Sequence, residues 1–207
     1  MKFKDVITSR DKFREIMGEA SDKVTRKTLG RLDRHCGKFI AAAPFAILST
    51  ADGKGNIDVS PKGDPSGFVK ILDERTLALP DRLGNQRADS IENILQNPEV
   101  DLIFLIPGKT ETLRVSGTAQ IVRDSDLRES LAIQGKAPDF VIAIHVKEAF
   151  FHCSKCMIRS KLWQAEAWPD LQGLPTLAQT MVDAGQLELT VDEMHEIVIN
   201  DERTRLY

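Results

Sequence analysis

Several things are scarce in this chain, and each scarcity removes a class of protein. Its 207 residues hold three cysteines, an odd number that builds no disulfide framework and fits reduced thiols in a cytoplasmic setting. Charge of one sign is not in excess: 28 basic against 31 acidic residues give a net charge of −3, which argues against a nucleic-acid or anionic-membrane partner. The longest apolar stretch, Phe39 to Leu48, is broken by Pro44 and is far too short to span a bilayer. The opening Met1-Lys2-Phe3-Lys4-Asp5 lacks the apolar run of a secretory signal. There is no internal repeat, no low-complexity segment and no Gly/Ser linker. A hydrophobic content of 42% with 29% charged residues describes a globule with a core large enough for one domain.

What is present changes its period along the chain. Phe13, Ile16 and Met17 share a helical face after Ser9, a suitable N-cap, and Leu29, Leu32, Cys36, Phe39 and Ile40 continue at helical spacing up to Pro44. From Phe45 the period becomes two. Phe45–Thr50 and Ile57–Lys62 read as strands joined by the turn Ala51-Asp52-Gly53-Lys54-Gly55-Asn56. Phe68–Leu72 with Thr76–Leu79 form a second hairpin, and Val100–Ile106 with Thr112–Val122 a third. Asp89-Ser90-Ile91-Glu92 has the pattern of a capping box opening a helix to about Gln96, where Asn97-Pro98 stops it. Asp126–Ile133 reads as a short helix, Phe140–Phe151 as a long strand, and Thr190-Val191-Asp192-Glu193 as a second capping box. Six or seven hairpin-linked strands without βαβ alternation predict a closed or nearly closed antiparallel barrel flanked by helices.

Two segments carry chemistry. Asp58, Ser60 and Lys62 lie on one face of a strand that ends in Pro-Lys-Gly. About twenty residues later Arg82-Leu83-Gly84-Asn85-Gln86-Arg87 reads as a helix start, where basic side chains oppose the helix dipole unless an anion is present. Cations and amide donors at a strand end and a helix start suit a dianionic phosphate, so the pair points to a phosphate-bearing cofactor. A solvated hairpin face would explain the first segment alone, but not the second.

The stretches 58–69 (Asp-Val-Ser-Pro-Lys-Gly-Asp-Pro-Ser-Gly-Phe-Val) and 79–95 (Leu-Pro-Asp-Arg-Leu-Gly-Asn-Gln-Arg through Leu95) resemble the flavin-binding split-barrel superfamily. They are most similar to the pyridoxamine 5′-phosphate oxidase-like branch regarded as FMN-dependent enzymes. Pro-Gly-Lys-Thr-Glu-Thr-Leu-Arg-Val-Ser-Gly-Thr-Ala (107–119) and Cys-Ser-Lys-Cys-Met-Ile-Arg-Ser-Lys-Leu-Trp (153–163) extend the resemblance, which runs from about Leu29 to Trp163. It implies a mainly β fold with flanking helices, a six-stranded antiparallel split β-barrel. Residues 1–207 would form one domain, with a helical region at about 9–42 and a helical tail at about 164–207. It implies a homodimer with FMN in clefts at the interface, acting on a small-molecule redox substrate, with no nucleic acid, membrane or metal partner. Carried over, the phosphate ligands are Ser60, Lys62, Arg82, Asn85 and Arg87, and the ring lies along Asp58 and Val59 near Pro80 and Asp81. Lys155 and Arg159, with Trp163, are candidates for a C-terminal segment of the partner subunit that closes the cleft.

The chain departs from the vitamin B6 enzyme itself. It ends Asp201-Glu202-Arg203-Thr204-Arg205-Leu206-Tyr207, without the tryptophan, spaced arginines and histidine that the resemblance would require for pyridoxal phosphate. No acid–base pair stands out, which fits a flavin carrying the redox chemistry while a cation such as Lys62 or Arg159 stabilises its reduced form. A flavin-storage protein and a deazaflavin enzyme are the alternatives. His152-Cys153-Ser154-Lys155-Cys156 offers too few ligands for structural zinc, since the remaining cysteine, Cys36, is over a hundred residues away. All three thiols are therefore expected to pack inward, and His145 and His195 to be structural.

Overall fold

In the computed structural model, which describes residues 3–207, three helices precede the sheet: α1 (Arg10–Met17), α2 (Asp22–Thr25) and α3 (Arg34–Ala42). Ser9 caps α1, accepting from the Lys12 amide at 3.2 Å, and Asp33 caps α3, accepting from the His35 and Cys36 amides. The strands are β1 (Phe45–Ala51), β2 (Ile57–Gly63), β3 (Lys70–Asp73), β4 (Thr76–Asp81), β5 (Glu99–Leu105), β6 (Thr112–Val122) and β7 (Phe140–His152). Helix α4 (Asp89–Gln96) lies between β4 and β5, and α5 (Ser125–Glu129) between β6 and β7. After β7 come α6 (Lys155–Ser160), α7 (Leu177–Gly185) and α8 (Val191–Thr204).

All strand pairs are antiparallel, in the order β2-β1-β5-β6-β7-β4-β3. The fold is mainly β with flanking helices, a split barrel. It has seven strands rather than six, because the short β3 pairs with β4 at one margin. Strands β1 and β5 share the same alternation of buried and half-exposed residues, as a half-buried strand requires. Leu48, Leu102, Phe104, Leu113, Val115, Ile142 and Ile144 are fully buried inside, and Cys36, Phe39 and Ile40 of α3 and Ile94 of α4 pack onto them. Each such aliphatic or aromatic side chain contributes about 1.5–3 kcal/mol by leaving water.

Between β6 and β7 the register slips at Ser116/Gly117, leaving Lys147 as an extra residue. Gly117 sits so close to the His145 carbonyl that any Cβ would collide with it, so the bulge needs glycine here. In the tail, α7 and α8 pack on each other, and the Thr190–Glu193 capping box forms with both reciprocal bonds, as predicted.

The box predicted at Asp89–Glu92 does not form. Ala88, in the left-handed region (φ 55°), takes the N-cap position, and Asp89 is already helical. No helix among the described residues is long and apolar enough to cross a membrane.

Candidate functional site

The candidate site lies where two unpaired stretches of sheet edge face each other. One is β2, bonded only to β1. The other is the end of β4: β3 pairs as far as Ala78, so Leu79, Pro80 and Asp81 bond only to β7. Both margins tolerate proline, because Pro61 and Pro80 have no inner ladder bond to donate there. Between them opens a cleft of about 1100 Å³, just above the usual range for small-molecule sites. Asp58 to Asp64 form one wall, Pro80 to Ile91 the second, and Lys136 to Phe140 with Leu206 and Tyr207 the third.

Two ion pairs bridge the split. Arg82 Nε donates to Asp64 Oδ2 at 2.6 Å, and its Nη2 donates to the Leu131 carbonyl at 2.9 Å. The Asp64 side chain is 1% exposed and that of Arg82 16%. Tyr207 joins them, its hydroxyl donating to Asp64 Oδ1 at 2.7 Å while the Arg82 guanidinium stands 5.8 Å from its ring centre. The second pair is looser: Lys62 Nζ lies 3.8 Å from Asp81 Oδ1. Burial pushes the Asp81 carboxyl above the usual carboxylate range and neighbouring Asp139 adds to this, while Lys62 opposes it.

Nine residues expected from the sequence line this one cleft: Asp58, Val59, Ser60, Lys62, Pro80, Asp81, Arg82, Asn85 and Arg87. Asp58, Ser60 and Lys62 share the half-buried face of β2, and Ile57, Val59 and Pro61 are exposed on the other. Ser90, nearly buried at the start of α4, donates to Asp58 Oδ2 at 3.1 Å and fixes that carboxylate. The arrangement of the second segment differs from expectation. Arg82, Asn85 and Arg87 do not open a helix; they lie in the loop before α4, which keeps Gln86 and Ala88 at positive φ. The dipole argument therefore does not apply to Arg82 and Asn85, since that field fades within about a turn, and only Arg87, beside the Ala88 N-cap, lies near it. Arg82 is tied to Asp64, whereas Arg87 projects into solvent, paired with Asp89 at 2.8 Å. Asn85 accepts from the Arg87 amide and shapes the loop.

Lys155 and Arg159 are exposed on α6 and are not part of the lining. The thiols also correct an expectation. Cys36 is buried, but Cys153 and Cys156 are exposed, and Cys153 precedes α6 rather than sharing it. The cause is that α6 buries none of its residues, so the turn has no apolar bed to receive them. Among the described residues no three His, Cys, Asp or Glu side chains gather as a metal site.

Four contributors escaped the sequence reading. Asp64 immediately follows the Pro-Lys-Gly motif and could have been included with it. Lys136 sits in a turn whose Gln134 and Gly135 have positive φ, a local signal for a loop but not for a site. Ser90 was hidden inside the capping-box pattern. Tyr207 is 143 residues from the carboxylate it binds, and nothing local announces that contact.

Residues 32–153 match the family model for pyridoxamine 5′-phosphate oxidase. The chain belongs to this family. The matched stretch carries both margins of the split, the 82–88 loop and Lys136 to Phe140. No curated protein matches the chain. Among solved structures, HupZ of Group A Streptococcus is 21% identical, covering 58% of this chain and 93% of its own, with a TM-score of 0.48. A candidate pyridoxamine 5′-phosphate oxidase of Lactobacillus delbrueckii is 25% identical over 59% and 95%, with a TM-score of 0.47. General Stress Protein 26 of Bacillus anthracis is 17% identical over 56% and 88%, with a TM-score of 0.43.

Proposed function

We propose that this chain binds FMN in the cleft at the split and works as a flavin-dependent oxidoreductase, as a homodimer. The observation that carries the reading is the cleft itself, with cations on all three of its walls: Lys62, Arg87 and Lys136. The residues present fit the cofactor in two ways. The free margin of β2 offers the Val59 amide and the carbonyls of Val59 and Pro61, which suit a flat heterocycle with alternating carbonyl and N–H groups. Lys62 and Arg87, each held by a single acidic partner, can exchange it for a phosphate, with Ser60 and Asn85 as neutral donors. Bound FMN would supply reversible hydride transfer.

The protein's part is to bind, orient and tune. Arg82 and Asp64 hold the two walls together, and Ser90 sets the direction of Asp58. Asp81, whose carboxyl pKa is raised, would offer a bound flavin a group able to carry a proton closer to neutrality than an exposed aspartate does. For the dimer, the support is the outer face of β2. Ile57 is 74% and Val59 59% exposed, and they continue through Pro61 into Ile47 of β1 and Ile103 of β5, which are aligned across the ladder. An apolar sheet face of this kind suits a second copy.

The test is the visible spectrum of the purified protein, followed by anaerobic addition of NADH or NADPH. The expected result is bound flavin at one equivalent per chain that bleaches on reduction and recovers in air. Protein that takes up no FMN at micromolar concentration would overturn the reading. A flavin that binds but does not turn over would favour storage.

A further inference from the structure

Outside the cleft, the two exposed thiols form a pair with defined geometry. Strand β7 ends at His152, and the chain turns through Cys153-Ser154-Lys155-Cys156 into α6. Ser154 has φ −72° and ψ −8°, and Lys155 is the first residue of the helix. The Ile158 amide donates to the Ser154 carbonyl at 3.0 Å, fixing the turn. With both central residues in the right-handed region, the first and fourth Cα atoms of such a turn lie within about 7 Å. Disulfides span Cα separations of about 4.4–6.8 Å. Closure therefore needs side-chain rotation and little backbone movement. Both thiols are free and exposed, and Lys155, Arg159 and Lys161 around them are exposed cations.

We propose that Cys153 and Cys156 form a reversible dithiol–disulfide couple that exchanges with small anionic disulfides such as oxidised glutathione. The balance is that of thiol–disulfide exchange. One cysteine thiolate attacks a sulfur of the small disulfide, whose S–S bond breaks and releases one thiolate, leaving a mixed disulfide on the protein. The second cysteine loses its proton and attacks the protein sulfur of that mixed disulfide, releasing the second small thiol. The protein is oxidised by two electrons, and one disulfide becomes two thiols. The cations draw in the anionic reagent, and the short turn favours intramolecular resolution over a lasting adduct. Cys36 takes no part: it is fully buried, and burial pushes its thiol up to about 11. The couple is independent of the flavin reading.

The sequence provides its own assay. Lys155 lies between the two cysteines, so trypsin separates Glu148–Lys155 from Cys156–Arg159, and only a disulfide keeps those peptides joined. The full chain is equilibrated with oxidised glutathione, quenched with an alkylating reagent and mapped under non-reducing conditions. The expected result is the joined peptide pair on a single chain, two fewer titratable thiols, Cys36 still reduced, and full reversal by dithiothreitol. Cys153→Ser and Cys156→Ser, both at exposed positions, should each instead retain one glutathione on the remaining partner. Stable glutathione adducts on the wild type, a covalent link between two chains, or thiols that stay alkylatable throughout would each overturn the proposal.

Discussion

Asp64 is the acceptor on which both the split and the tail depend, and Asp64→Ala removes it. The carboxylate is 1% exposed and serves Arg82 on one oxygen and Tyr207 on the other. Breaking a buried ion pair by deleting one partner costs about 3–5 kcal/mol, because the other charge is left uncompensated. Arg82 keeps some exposure and its bond to the Leu131 carbonyl, which places the loss at the lower end, about 3 kcal/mol. In a chain of this length each kcal/mol moves the melting temperature by about 2–4 °C, so scanning calorimetry at fixed protein concentration should show a fall of about 6–12 °C. A second readout is available because Tyr207 is the only tyrosine. Its hydrogen bond to Asp64, then burial and the carboxylate's charge, hold the phenol above its ordinary range. A group whose folded pKa is raised contributes stability that is fully present below its unfolded value, about 10 for tyrosine, and is lost as pH climbs through the folded value. Ultraviolet titration should therefore find the phenolate appearing late in the wild type and close to about pH 10 in Asp64→Ala. A melting temperature within about 2 °C of wild type, together with an unchanged tyrosine titration, would refute the Asp64 linkage.

Three further outcomes are expected. Lys62→Ala with Arg87→Ala should stay folded but lose FMN, since two charge-assisted bonds of about 1.5–3 kcal/mol each amount to a hundredfold or more in affinity; stoichiometric flavin in the purified double variant would misplace the phosphate site. Gly117→Ala forces a Cβ against the His145 carbonyl and should cost about 3 kcal/mol or prevent soluble expression; a wild-type melting curve would mean that the bulge yields easily. Thr190→Ala removes the hydroxyl that accepts from the Glu193 amide at the start of α8 and leaves the backbone half of the box in place; it should cost about 1 kcal/mol, visible as faster amide exchange in the first turn of α8 while the barrel strands stay protected.

The barrel was legible because its strands are patterned locally. Val115, Gly117 and Ala119 alternate with Arg114, Ser116 and Thr118, and that period alone identifies a strand with one buried face. Helix ends were less legible. Thr190 and Glu193 form the box their spacing predicts, whereas the same pattern at Asp89–Glu92 fails. There the chain leaves a strand end through Gln86 and Ala88 in the left-handed region, and the helix begins one residue early. Thiol burial was not legible at all. Whether Cys153 and Cys156 face inward depends on what α6 packs against, and that is a property of its neighbours.

The amino-acid sequence by itself determined the strands, the hairpins, the antiparallel class and the two segments that meet at the cleft, because periodicity, turn residues and motif spacing act over a few residues. Only the tertiary structure decided that β2 and the end of β4 are the facing margins of a split, that Arg82 is bound to Asp64 while Lys62 stands farther from Asp81, and that Tyr207 completes the wall. These are contacts between residues 18 to 143 positions apart, and such pairings are set by how whole elements pack, which no local pattern encodes.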